Sequence, residues 1–213
     1  MQAFDSLSRN IQQYIYDKGW PSLTSIQNAA IKQVANTDHN LILSAPTASG
    51  KTEAAFIPAL NSVEDWETGL KVLYISPLKA LINDQFQRIS ELSEYLDIPI
   101  TRWHGEVSQA QKRKVVNQPK GVLLITPESI EGMLVNRPGE AQHLFKGVEW
   151  IIIDELHSFL GTERGIHLQS LLQRISQFMQ EPRFIAMSAT LNKKDFGYAK
   201  AFFGSQRDTD ILV

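Results

Sequence analysis

The 213-residue chain contains no cysteine, which excludes disulfides, Cys-ligated zinc and Cys-held iron–sulfur clusters. It also lacks any apolar run approaching the ~20 residues that a membrane span needs. Met1 to Ser6 shows no basic region followed by an apolar stretch, so the N-terminus does not read as a signal peptide. Neither sign of charge dominates: 21 Lys and Arg against 23 Asp and Glu leave a net charge of −2. Any contact with a polyanion must therefore be a local patch and not a field over the whole surface. No linker composition, internal repeat or low-complexity stretch breaks the chain, which reads as one domain over 1–213 with no membrane segment and a cytoplasmic setting. What is present is a core: 43% hydrophobic and 9% aromatic residues exclude global disorder.

One stretch organises the rest. Leu41-Ile42-Leu43 is an apolar strand leading into Ala45-Pro46-Thr47-Ala48-Ser49-Gly50-Lys51-Thr52, and helix-compatible residues follow from Glu53 until Pro58 is expected to interrupt them. A strand, a turn of small residues and a helix opening on Lys-Thr form a phosphate cradle, the P-loop. Ala45, Thr47, Ser49 and Gly50 let backbone N–H groups approach phosphates, the helix N-terminus adds partial positive charge, and Lys51 adds a full one. The Thr52 hydroxyl suits Mg²⁺. Ala45 stands where the strict pattern has its first glycine, a departure of one methyl group.

In chain order, Leu7, Ile11, Tyr14 and Ile15 mark a helix ended by Gly19, and Thr24-Ser25-Ile26-Gln27 opens another. Thr24 with Gln27 fits a capping box, while the Gln27 carboxamide also matches the donor–acceptor edge of adenine; local sequence does not choose. Val72 to Ser76, Ile98 to Trp103, Val122 to Ile125, Trp150 to Ile153 and Phe184 to Met187 read as strands. Between them lie helices marked by Leu78 to Leu96, Gln109 to Val116, Glu128 to Val135 and Leu168 to Phe178. Such alternation demands an α/β domain, a mainly parallel sheet with helices on both faces and ligands at the strand carboxyl ends. There the chain has its P-loop, Ser76-Pro77, Thr126-Pro127, Asp154-Glu155 and Ser188-Ala189-Thr190.

Asp154-Glu155 after a hydrophobic strand has the form of a Walker B pair: Asp154 to hold Mg²⁺, Glu155 to activate water. As an isolated feature it could equally cap the next helix. His157 reads as a satisfied histidine or as part of a relay with Ser188 and Thr190. Lys112-Arg113-Lys114 reads as a solvated face or an extension of a nucleic-acid path; Trp103 and His104 read as core packing or as a base-stacking pair.

Gln27, Ala45–Thr52, Ser76 to Leu81, Thr126 to Ser129, Asp154 to His157 and Ser188 to Thr190 come in the order of superfamily 2 helicase motifs Q, I, Ia, Ib, II and III, and the chain resembles that family from about residue 20 to 192. Gly161-Thr162-Glu163-Arg164-Gly165-Ile166-His167-Leu168 further resembles its large-helicase-related (Lhr-like) group, and His157 departs from the DEAD-box RNA helicases proper. The resemblance implies a RecA-like ATP-binding domain over 1–213, with residues 1–36 as N-terminal helices carrying the Q-motif. It implies ATP and Mg²⁺ as cofactors, with catalytic roles for Lys51, Asp154, Glu155 and His157. Gln27 would read adenine, Thr52 and Asp154 would hold the metal, and Ser188 and Thr190 would couple hydrolysis to movement. Pro77, Lys79, Thr126 and Ser129 would grip one nucleic-acid strand through its phosphates, DNA being favoured and RNA the alternative. Ala48 replaces a glycine common in motif I. Nothing like motifs IV to VI follows Thr190, so a second RecA-like domain is expected outside this chain. Competing readings are a nucleotide-gated binding module and a duplex translocase that does not separate strands.

Overall fold

The apolar segments do assemble as strands of one sheet. The computed structural model describes residues 3–204 and 207–213, so residues 1 and 2 of the expected N-terminal segment lie outside it. In order the elements are α1 (Arg9–Asp17), α2 (Ser25–Asn36), β1 (Asn40–Ser44), α3 (Lys51–Ser62), β2 (Gly69–Ile75), α4 (Lys79–Tyr95), β3 (Ile100–Trp103), α5 (Gln109–Asn117), β4 (Lys120–Ile125), α6 (Pro127–Asn136), α7 (Pro138–Phe145), β5 (Trp150–Ile153), α8 (Glu163–Ser176), β6 (Arg183–Ser188), α9 (Phe196–Ala201) and β7 (Thr209–Leu212). The strands pair in parallel throughout in the order β3-β4-β2-β5-β6-β1-β7.

Side-chain alternation splits the interior into two layers. Leu41, Leu43, Val72, Tyr74, Trp150, Ile152, Ile185 and Met187 face α1, α2, α3 and α4. Ile42, Leu73, Ile75, Ile151, Ile153, Phe184 and Ala186 face α6, α7, α8 and α9. Strands covered on both faces have no reason to alternate with polar residues, hence the unbroken apolar runs.

Pro58 does not interrupt α3, which continues to Ser62. An interior proline costs about 3 kcal/mol, but Ala54, Ala55, Phe56, Ile57, Ala59 and Leu60 are all buried around it, and that packing holds the helix together. Strand β7 is short and half-buried at the sheet edge, and α7 begins at Pro138 directly after α6; neither was anticipated.

The seam between α6 and α8 is laced by charge. Glu131 of α6 accepts from both terminal guanidinium nitrogens of Arg174 (Nη1 at 3.1 Å) and lies 2.9 Å from His167 Nε2. These contacts hold its carboxylate down at about 2. A carboxylate depressed from its ordinary 4.5 contributes stability that is complete above that pH and is lost as pH falls toward 2. Glu131→Gln is therefore expected to lower stability most at neutral pH, with the deficit shrinking as pH falls from 4.5 toward 2 and the acid-unfolding profile flattened between those limits. Circular dichroism against pH, variant beside wild type, measures it; superimposable profiles would refute it.

Candidate nucleotide and strand-gripping edge

After β1 the chain leaves the core at Ala45 and turns through two left-handed residues, Ala48 (φ 63°) and Gly50 (φ 83°), before α3 starts at Lys51. Gly50 is required by its φ, and a Cβ there, 2.5 Å from Gln27 Nε2, would also displace that amide. Ala48 takes its left-handed conformation at about 1–2 kcal/mol, which is why glycine is common at that position and why a single methyl is tolerated. The start of α3 has no side-chain cap, and the Ser49 hydroxyl is buried without a hydrogen-bond partner. Lys51 Nζ donates to the carbonyls of Ala45 and Pro46, the latter at 2.6 Å. Burial pulls the Lys51 ammonium below its ordinary pKa, opposed by the Glu155 and Asp154 carboxylates. The Thr52 side chain is buried alongside.

Both readings of Gln27 meet the structure at one amide. The capping box is formed: Thr24 N–H donates to Gln27 Oε1 at 2.9 Å, and Gln27 N–H donates to Thr24 Oγ1 at 3.4 Å. In addition Gln27 Nε2 donates to the Gly50 carbonyl at 3.4 Å, which ties α2 to the P-loop.

At the end of β5, Asp154 is buried at 6% exposure. Its Oδ1 accepts from the Glu155 N–H at 2.9 Å and its Oδ2 from the Tyr74 hydroxyl of β2. Burial raises the Asp154 carboxyl above its ordinary pKa, against the pull of the Tyr74 bond. Glu155 is held at φ 49°, a left-handed strain on a non-glycine residue. His157 Nδ1 lies 3.2 Å from Glu155 Oε2, 3.4 Å from Ser188 Oγ and 3.3 Å from the Ala189 N–H, which donates to it. The structure thus brings His157, Glu155 and Ser188 together. Thr190 is exposed and makes no hydrogen bond among the described residues.

The strand-gripping candidates sit at the tips of β2 and β4, which are neighbours in the sheet. Pro77 is buried in the turn after β2, and its carbonyl accepts from Arg164. Lys79 starts α4 and pairs with Glu106. Thr126 caps α6: its hydroxyl accepts the Ser129 N–H at 3.3 Å and donates to Ser129 Oγ at 3.0 Å. Trp103 and His104 are both buried, at 7% and 5% exposure, which is the core-packing alternative.

Three contributors escaped the sequence reading. Tyr74 is the one polar head in Val72-Leu73-Tyr74-Ile75, and that anomaly was its signal. Ser44 accepts the Leu191 N–H at 2.9 Å, joining β1 to the segment after β6. Arg164 carried no local sign of its target. Tyr74→Phe strips a buried carboxylate of a partner, an omission worth about 1–3 kcal/mol. It is expected to lower the thermal midpoint; a midpoint identical to wild type would show that the bond adds nothing to the stability of the buried carboxylate.

A DEAD/DEAH box helicase family model matches residues 24–196. The chain belongs to the DEAD/DEAH box helicase family. Its relatives include helicases of the Lhr group. The ATP-dependent helicase Lhr-Core of Methanocaldococcus jannaschii is 29% identical over 229 residues, covering 99% of this chain and 26% of the relative. The Lhr helicase/uracil glycosylase of Escherichia coli is 32% identical over 214 residues, covering 89% of this chain and 13% of the relative. The structure of Mycobacterium smegmatis helicase Lhr bound to ssDNA and AMP-PNP superposes with a TM-score of 0.84 at 28% identity, covering 100% of this chain and 28% of that one. The chain therefore spans about a quarter or less of the length of these relatives. As a helicase domain it has the RecA-like three-layer α/β fold, which the DEAD-box helicase Mss116 shares at 19% identity and a TM-score of 0.83.

Proposed function

We propose that residues 1–213 form the ATP-binding motor domain of a nucleic-acid-dependent ATPase that couples hydrolysis to movement along one strand of DNA. The observation that carries this reading is the uncapped, positively polarised start of α3, with Lys51 on it and the Asp154 and Glu155 carboxylates facing that lysine. The orphaned Ser49 hydroxyl and the uncapped N–H groups suit phosphate, and the oxygen donors of Thr52 and Asp154 suit a hard divalent cation. When bound, Mg²⁺ neutralises charge on the phosphates. Lys51 exchanges the Ala45 and Pro46 carbonyls for the β/γ-phosphate oxygens. Glu155 orients the attacking water and takes its proton. His157, whose Nδ1 lies beside both Glu155 Oε2 and Ser188 Oγ, carries the state of that carboxylate to the β6 tip and on to Thr190.

Gln27 exchanges its long contact with Gly50 for the adenine edge while its Oε1 keeps the cap. Gln27→Ala is expected both to lower stability by about 0.5–2 kcal/mol and to reduce the preference for ATP over GTP. A lowered melting temperature with nucleotide preference unchanged would leave Gln27 a cap alone.

Lys79, Thr126 and Ser129 hold phosphates of the tracked strand, with Pro77 shaping the turn that presents Lys79, which positions the strand without reading sequence. DNA is favoured over RNA because the Lhr relative was solved on ssDNA and the helicase MrfA on DNA. A second RecA-like domain would supply the opposite wall of the nucleotide site, a proposal supported by the far greater length of the relatives. A binding module without turnover has no use for a water-activating acid in the place of Glu155. The deciding experiment is coupled ATPase assay of the protein at its full natural length, with single-stranded DNA, single-stranded RNA and neither. DNA-stimulated turnover is expected; nucleotide binding with no turnover under any condition would favour the gated module.

A further inference from the structure

The segment Gly161 to Leu168 has no part in the chemistry above, yet it is tightly built. Thr162 donates to the Phe159 carbonyl at 2.9 Å and accepts the Gly165 N–H at 3.1 Å, capping α8. Gly165 is pressed so closely on that turn that a Cβ would fall 1.9 Å from the Phe159 carbonyl oxygen. This geometry throws Arg164 off the first turn of α8, over the Phe159 ring at 5.7 Å and toward the tips of β2 and β4. There Arg164 Nη2 donates both to the Pro77 carbonyl and to Glu128 Oε1, the latter at 2.7 Å, and Nε reaches the same Glu128 oxygen at 3.2 Å. Pro77 is the turn after β2. Glu128 lies in the first turn of α6, between Thr126 and Ser129.

We propose that Arg164 is a positioning residue: one guanidinium fixes the Pro77 turn and the start of α6 as a single strand-gripping edge and ties that edge to the turn that follows Asp154 and Glu155. The inference rests on the reading of Lys79, Thr126 and Ser129 as phosphate contacts and of Pro77 as the turn that presents them. The side chains of Arg164 and Glu128 are 37% and 58% exposed, so their ion pair adds little to global stability. Its value is geometric. A planar fork satisfies a carbonyl and a carboxylate at once, which the point charge of lysine does not do. The anchor also lies on the element downstream of the Walker B pair, so a shift of that turn moves both halves of the grip together.

The test uses the full-length protein and a fluorescent oligothymidylate, with anisotropy titrations over a series of salt concentrations. Arg164→Ala is expected to weaken binding about tenfold or more, as misplacement of a contact set does. The slope of log affinity against log salt should stay unchanged and the KM for ATP without DNA unaltered. Arg164→Lys keeps the charge and the fold and should lose most of the same affinity. Glu128→Gln separates geometry from charge: removal of an acid beside a phosphate track would by charge alone strengthen binding, whereas loss of the brace weakens it. Weakening in all three variants supports the proposal. Undiminished affinity in Arg164→Ala, full rescue by lysine, a salt slope reduced by about one, or tighter binding by Glu128→Gln each overturns it. Wild-type protein that binds no oligonucleotide would instead sink the motor-domain reading itself.

Discussion

Lys51→Ala is expected to weaken ATP binding about 100-fold or more, because charge-assisted contacts to phosphate are the strong ones and their loss leaves the anion uncompensated. Lys51 is the full positive charge on the P-loop, whose remaining donors are backbone N–H groups and hydroxyls. The substitution should cost little stability. Lys51 spends its present hydrogen bonds on the carbonyls of Ala45 and Pro46, which are turn carbonyls and not part of a helix or strand ladder. Burial already disfavours its charge, so removing it relieves a desolvation cost. The expected pattern is therefore an unchanged melting temperature without nucleotide and the loss of the upward shift that ATP produces in wild type. Titration with a fluorescent ATP analogue supplies the affinity. Undiminished binding by the variant would refute the P-loop assignment.

Glu155→Gln is expected to lower turnover of the full-length protein by about 10²–10⁴-fold, the usual contribution of a positioned general base, while Mg·ATP binding persists. The amide keeps the size and much of the hydrogen bonding of the carboxylate but accepts no proton from water. Its surroundings sharpen the expectation. Asp154 is engaged by Tyr74 and by the Glu155 N–H, and its remaining lone pairs are the ones assigned to the cation, so it does not replace a missing base. Single-turnover measurement separates chemistry from binding. A variant that turns over like wild type would remove Glu155 from the activating role.

The contact of His157 with Glu155 and Ser188 gives this second variant a further consequence. An amide at position 155 changes what is offered to His157 Nδ1, which the Ala189 N–H also approaches. Trapping ATP without hydrolysis should thus leave the β6 tip in one arrangement, visible as altered hydrogen exchange at Ser188 to Leu191.

Much of this fold is written in its apolar pattern. The order of apolar runs required a parallel sheet, because strands buried on both faces cannot alternate. The residues at their ends then had to share one edge. That placed the P-loop, Asp154-Glu155 and Ser188-Ala189 together, and the DEAD/DEAH box match over 24–196 bears out the helicase reading. Boundaries and edge elements were less legible. Pro58 looked like a helix stop because local propensity opposes it, and only the burial of its neighbours on α3 overrides that preference. Strand β7 has no periodicity of its own and exists by pairing with β1.

The sequence by itself determined which residues the proposed chemistry draws on: a lysine and small residues in a turn suited to phosphate, an acid pair after an apolar strand, and the absence of cysteine that excludes disulfides and Cys-ligated zinc. Those signals are local, since each needs only neighbours in the chain. What the tertiary structure decided is which distant groups complete them. Tyr74 reaches Asp154 across 80 positions, Gln27 reaches Gly50 across 23, and Arg164 reaches Pro77 across 87. Such contacts depend on strand order and helix packing, which bring residues together by the burial of apolar faces that carry no record of the polar partners they will deliver.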